Sequence, residues 1–236
     1  MYMVGHRGCA GLRPENTLLG FRYAIALGVD AIECDVHLTR DERLVVLHDE
    51  RVDRTTDGTG AVTDLSFAEI RRLDAGRGEP VPTLDQVLQV AAAGGVRLLV
   101  ELKGAGTARP ALAAVAARTM LRATAFTAFD PARIAEVRRM DPSAETRAIC
   151  SAVSAAAPRV AADAGARGLD VPFRSLQRDL IDQAHALGLD VLAWNPDEDA
   201  DIRATVALNP DGISSNRPDR LLALLGRSRR EGDESP

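Results

Sequence analysis

Glu33 and Asp35 lie two residues apart in AIECDVHL (31–38), a run whose other members Ala31, Ile32, Cys34, Val36 and Leu38 belong in a core. An ionised carboxylate buried without a partner costs several kcal/mol, and two side by side also repel. Residues two apart on a strand share a face. Glu33, Asp35 and His37 therefore point one way and Cys34 the other. VELKG (100–104) repeats the relation with Glu101 and Lys103, and MVGHRG (3–8) ends a third such run in His6 and Arg7. Three carboxylates converging on one point are favourable only around a hard divalent cation. An all-oxygen set indicates Mg²⁺ or Ca²⁺ rather than zinc. Arg7 and Lys103 beside that cation are what an oxyanion needs, and phosphate fits best. Two histidines flanking the phosphate, His6 and His48, can serve as general base and general acid. Metal-assisted cleavage of a phosphoester follows from these residue types.

His48 needs a device to reach that point. After Asp35 the chain reads VHLTRDERLVVLHD (36–49), with turn residues Asp41 and Glu42 in the middle. A β-ribbon folding back about 41 and 42 would pair residue 35 with residue 48 and bring His48 level with Asp35. Each residue also has a structural reading. Glu101 can simply pair with Lys103, His48 with Asp49, and His6 can cap the first loop. All of these would have to hold together to remove the site. His37 is either a polar group at the pocket rim or a bystander, Trp194 either lines the pocket or packs in the core, and His185 is read as a surface residue.

The elements that must position these groups alternate regularly. β-rich runs fall near 2–6, 30–37, 97–103, 123–129, 145–150, 167–171, 190–194 and 211–214. Helical patterns lie near 16–27, 83–93, 108–119, 131–140, 155–164, 175–187, 198–207 and 217–225. Asn16, Thr83, Asp130 and Ser175 are candidate caps, and Gly28, Gly94 and Gly188 candidate stops. Eight strands each followed by a helix predict an α/β fold of the (β/α)8 TIM-barrel type, in which catalytic groups gather at the strands' C-terminal ends. A doubly wound open sheet is the competing arrangement. One connection, about 38–82, is long enough to be functional. Residues 1–226 read as one domain with this insertion, and 227–236 as a charged, disordered tail.

Composition narrows the function classes. With 29 Lys and Arg against 34 Asp and Glu, net charge −5, and aromatics at 3%, the chain has neither the basic surface nor the stacking residues of a nucleic-acid binder. The cysteines Cys9, Cys34 and Cys150 lack metal-finger spacing and read as free thiols of a reducing compartment. No basic leader and no apolar run of membrane-spanning length stands out, so a cytoplasmic location without membrane insertion is expected. Nothing in the sequence decides between a monomer and a homodimer.

The pieces GHRG (5–8), PENT (14–17), ECDVHLTRD (33–41), VVLHD (45–49), DRTTDGTG (53–60), PTLDQVL (82–88), VELK (100–103), AWN (193–195) and DGISSNRPD (211–219), in this order, resemble the glycerophosphodiester phosphodiesterase family. The resemblance implies a barrel with a small insertion after the second strand and a divalent metal on Glu33, Asp35 and Glu101. It implies His6 and His48 as the acid–base pair, Arg7 and Lys103 on the phosphate, and hydrolysis of a glycerophosphodiester to glycerol 3-phosphate and an alcohol. Three positions depart from the family pattern. Trp194 is followed by NPDE instead of Thr-Val-Asn, Asn216 stands where Asp is usual, and Ala128 where Ser is common. All three are expected on the glycerol or alcohol side of the pocket. Two other readings compete: the same site acting on lysophospholipids or phosphoinositides, against which stands an insertion with Phe67 as its only aromatic residue, and a binding barrel without turnover, which would not need the histidine pair.

Overall fold

Residues 1–152 and 154–227 are described in the computed structural model; of the segment 227–236 read above as a disordered tail, Arg227 is ion-paired with Asp30 and the rest lies outside the described residues. Eight parallel strands close on themselves: β1 (Tyr2–Gly5), β2 (Ala31–Leu38), β4 (Arg97–Leu102), β5 (Thr124–Ala128), β6 (Glu145–Ile149), β7 (Gly168–Pro172), β8 (Asp190–Trp194) and β9 (Gly212–Ser215), with β1 paired to both β9 and β2. The short β3 (Leu44–Val46) runs antiparallel along β2. Helices follow the barrel strands: α1 (Leu18–Leu27), α3 (Leu84–Ala93) after the insertion, α4 (Ala108–Ala117), α5 (Pro131–Met140), α6 (Ala157–Asp163), α7 (Arg178–Ala186), α8 (Asp199–Ala207) and α9 (Pro218–Leu224). This is a TIM barrel. Every predicted strand and helix is present, with helix ends shifted by up to three residues.

Local chemistry sets the helix ends. Thr83 and Gln86 form a capping box on α3, and Asp130 caps α5 with Pro131 in its first turn. Two expected caps move. Asn16 sits at φ 56° with its side chain committed to the site, so Thr17 caps α1 by accepting from the Gly20 amide. Ser175 lies in a 3₁₀ turn, and α7 begins only at Arg178, after Gln177.

Strand side chains alternate between two cores. Outward residues such as Ile32, Cys34, Val100, Phe126, Leu169 and Val191 pack under the helices, while Val4, Ala31, Leu99, Ala125 and Leu192 fill the barrel interior. Ala128 is an outward core residue, because it follows the inward Thr127 by one position, and so it does not line the pocket as expected. The small interior residues leave room for Arg147, which is buried and ion-paired to Asp170 and Asp190. A Cβ on Gly168 would strike the Arg147 guanidinium and the Asp190 carboxylate. Gly168→Ala is therefore expected to destabilise the protein by about 1–3 kcal/mol or more, read as a lowered thermal midpoint.

The insertion folds on its own apolar cluster of Val45, Leu47, Val52, Val62, Ile70, Ala75 and Val81, with the one-turn helix α2 (Phe67–Ile70) across it. The β2–β3 ribbon exists but its register differs from the expected one. Val36 faces Val46, His37 faces Val45, and the Leu47 amide donates to the Asp35 carbonyl, so Asp35 stands opposite residue 47. The reversal is a three-residue loop centred on Asp41, with Glu42 left-handed at φ 56°. An odd loop moves the symmetry point by half a residue.

Candidate active site

The parallel register places Asp35 directly across from Glu101, and Glu33 lies one pleat deeper beside Leu99. Oxygens of Glu33, Asp35 and Glu101 lie within 4.8 Å of one another, and all three residues are buried. Some of their atoms have partners. Glu33 Oε2 accepts from the Arg7 amide (2.8 Å), Asp35 Oδ2 from Asn16 Nδ2 (2.8 Å), and Glu101 Oε1 from Lys103 Nζ (2.8 Å). Glu33 Oε1 and Asp35 Oδ1 are buried with no hydrogen-bond partner. Burial, then the neighbouring carboxylates, pushes the Glu33 carboxyl well above its ordinary range, and burial with Asp35 pushes Glu101 up to about 7. Burial would raise Asp35 as well, but Arg7, His48 and Lys103 hold it below its usual value. The two orphaned oxygens, and the like charges that push Glu33 and Glu101 up, mark a cluster whose charge a cation would offset. The donor set fits a hard divalent ion.

Two histidines flank this cluster. His6 follows β1 directly. Its Nδ1 is 2.7 Å from Asn216 Oδ1, and its Nε2 points inward, 4.0 Å from Glu33. Asn216 Nδ2 donates to Asp197 Oδ2 (2.7 Å), which turns the amide oxygen towards the ring. His6 Nδ1 therefore carries the proton, and Nε2 presents its lone pair to the pocket. Burial first, then the Arg7 charge, lowers its pKa to about 4. His48 follows β3 in the insertion. Its Nδ1 donates to Asp49 Oδ1 (2.6 Å), and its Nε2 lies 3.1 Å from Lys103 Nζ. Arg54 holds the Asp49 carboxyl far below its usual range and grips Asp49 and Glu15 together, and Glu15 in turn binds Arg7 Nη1 (3.0 Å). His37 lies beneath, its Nε2 donating to the His48 carbonyl (3.0 Å), so it supports the loop instead of lining the rim.

The cluster opens into a cavity of about 250 Å³ lined on the near side by His6, Arg7, Glu33, His48 and Glu101. Thr127, Phe129, Asp170, Trp194, Asn195 and Ser214 contribute to its far side. Phe129 and Trp194 meet edge-to-face, with ring centroids 6.4 Å apart. The expected site residues thus come together, Trp194 included. His185 is exposed and pairs with Asp211 on the surface. Asn216 stands behind His6 and not on the alcohol side. Sequence reasoning missed Asn16, Asp49, Arg54, Glu15 and Asp197 as working residues. The signal of the first four was present in PENT, VVLHD and DRTTDGTG, but contacts from 39 residues away are invisible in a linear pattern.

A closed (β/α)8 barrel with a carboxylate cluster, two cations and two oriented histidines at its C-terminal mouth defines a TIM-barrel hydrolase of phosphoric diesters. Residues 6–220 match the glycerophosphoryl diester phosphodiesterase family. A glycerophosphodiester phosphodiesterase from Caldanaerobacter subterraneus is 29% identical over 235 residues, covering 94% of this chain and 97% of that protein. The crystal structure of glycerophosphodiester phosphodiesterase from Agrobacterium tumefaciens superposes with a TM-score of 0.84 at 30% identity, covering 94% of this chain and 99% of the other. An Oleispira antarctica phosphodiesterase in complex with the product sn-glycerol-3-phosphate gives 0.87 at 25% identity, over 96% and 97% of the two chains. The chain belongs to the glycerophosphoryl diester phosphodiesterase family. Among the described residues no helix is long and apolar enough to cross a membrane.

Proposed function

We propose that the chain hydrolyses glycerophosphodiesters to sn-glycerol 3-phosphate and an alcohol, using a divalent cation, Mg²⁺ or Ca²⁺, held by Glu33, Asp35 and Glu101. The observation that carries this reading is the pair of orphaned buried oxygens, Glu33 Oε1 and Asp35 Oδ1, beside Arg7 and Lys103 and between two oriented histidines. Bound there, the cation offsets the charge that develops on the phosphoryl oxygens. Arg7 and Lys103 grip the same oxygens, and Trp194 with Phe129 borders the organic part of the substrate. His6 Nε2, neutral and unprotonated, takes the proton of the attacking oxygen as its bond to phosphorus forms. His48 Nε2 delivers a proton to the departing alkoxide as the other P–O bond breaks. The partners of the two rings support this division of roles. A carboxylate, Asp49, balances a ring that carries two protons, whereas the amide oxygen of Asn216 does not.

Release of sn-glycerol 3-phosphate from glycerophosphocholine is the direct test. Turnover with Mg²⁺ or Ca²⁺ that stops on adding EDTA supports the reading; absence of turnover on glycerophosphocholine and glycerophosphoethanolamine with either ion sinks it.

The Asp197–Asn216 pair yields a separate expectation. Asn216→Asp sets two carboxylates at hydrogen-bond distance behind His6, and kcat is expected to fall about tenfold or more. The double exchange Asp197→Asn with Asn216→Asp restores a donor–acceptor pair and is expected to recover most of the loss. Steady-state kinetics of the three variants decides it.

A further inference from the structure

Asp170 is the one charged residue that β5 to β9 contribute to the cavity lining. It is 4% exposed and level with Leu192 on β8, one pleat below Trp194 at the mouth. Its Oδ1 accepts from Arg147 Nε at 2.7 Å. The hydrogen bonds among the described residues use only Oδ1 and leave Oδ2 without a donor, and the residue lines the cavity. Arg147 engages Asp170 through Nε and Asp190 through Nη1, and its Nη2 is buried without a hydrogen-bond partner. Asp190, at the opposite end of the guanidinium, already supplies a counter-charge, so two carboxylates meet one cation and the floor keeps an excess of negative charge. The hydroxyl residues Thr127 and Ser214 line the same cavity. Burial, opposed by Arg147, places the Asp170 carboxyl at about 6, so it is largely ionised at neutral pH. A buried acceptor flanked by hydroxyls and facing a cavity on the side away from the cations is arranged for a neutral polyol.

We infer that Asp170 is a specificity-determining residue whose Oδ2 accepts a hydrogen bond from a free hydroxyl of the substrate's glycerol portion. This rests on the phosphodiesterase reading above and names the part of the substrate that the pocket floor recognises. No other charged side chain of that wall competes for the role, and a carboxylate serving Arg147 alone would bury both its oxygens against protein.

The test compares wild type, Asp170→Asn and Asp190→Asn. Asparagine at 170 keeps an oxygen for Arg147 and turns an NH₂ group towards the hydroxyl. KM for glycerophosphocholine and for glycerophosphoethanolamine is expected to rise about tenfold to a hundredfold. KM for bis(p-nitrophenyl) phosphate, which has the diester but no hydroxyl, is expected to stay unchanged. Asp190→Asn removes a charge from the same arginine without touching the cavity and should leave all three KM values in place. Inhibition of the wild type gives a second readout that needs no variant to fold: sn-glycerol 3-phosphate should bind at least about tenfold more tightly than n-propyl phosphate, its analogue without hydroxyls. Equal inhibition by the two phosphates overturns the inference. So does an Asp170→Asn enzyme with unchanged KM, one that loses bis(p-nitrophenyl) phosphate equally, one that loses glycerophosphoethanolamine alone, or an Asp190→Asn enzyme with the same shift. A wild type that cleaves no glycerophosphodiester fails the phosphodiesterase reading itself, a result distinct from an active wild type indifferent to Asp170.

Discussion

Replacing His6 by alanine is expected to lower kcat on glycerophosphocholine by about a hundredfold to ten-thousandfold, the usual worth of a positioned general base. His48→Ala is expected to cost a similar factor on this substrate, because its alkoxide leaving group needs a proton. The two variants part company on a substrate that leaves without help. Nitrophenolate departs unprotonated, so His48→Ala should recover much of its loss on a p-nitrophenyl diester while His6→Ala should not. Rates of the two variants on both substrates settle the assignment; the opposite pattern would exchange the roles. Burial and Arg7 lower the His6 pKa to about 4, which keeps it unprotonated across the neutral range. Between pH 6 and 8 the wild-type rate should therefore show no loss from protonation of the base.

The second large effect concerns the carboxylate cluster. Glu101→Gln is expected to reduce turnover at least about a thousandfold, since in the proposed mechanism it removes a ligand and a charge from the metal centre. Its effect on the metal-free protein has the opposite sign. The Glu101 carboxyl rises from its usual 4.5 to about 7 through burial and the neighbouring Asp35. The folded state therefore holds a proton that the unfolded state releases between those values. The metal-free wild type loses stability as pH rises through that window, whereas Glu101→Gln lacks this proton and should lose less of its thermal midpoint, Glu33 and Asp170 contributing their own losses to both proteins. Adding Mg²⁺ or Ca²⁺ should raise the midpoint of the wild type at pH 7 and leave the variant nearly unmoved. Thermal unfolding in EDTA and in each cation, from pH 4.5 to 7.5, checks all of this. A variant that is less stable than wild type at pH 7 in EDTA would show that Glu101 serves packing before charge.

The residues proposed to do the chemistry were legible in the sequence because their signal is local. Glu33 and Asp35, and Glu101 with Lys103, are each two apart on a strand, and a period of two fixes their common face whatever the rest of the chain does. The barrel itself was legible for a similar reason: eight apolar runs alternating with capped amphipathic helices admit few closures. Register and partnership were not. A three-residue loop moved the ribbon by one position from the expected pairing, yet His48 still reaches the mouth because it lies just beyond the last paired residue. Asn16 was spent on Asp35 and passed the cap to Thr17. Ala128 turned outward on the parity of its strand. The tautomer of His6 depends on Asn216, 210 residues away, which in turn depends on Asp197. Such choices are made by side chains that meet only after the barrel closes. Side-chain type and strand parity are properties of the chain, whereas which oxygen faces which nitrogen is decided by the packed tertiary structure.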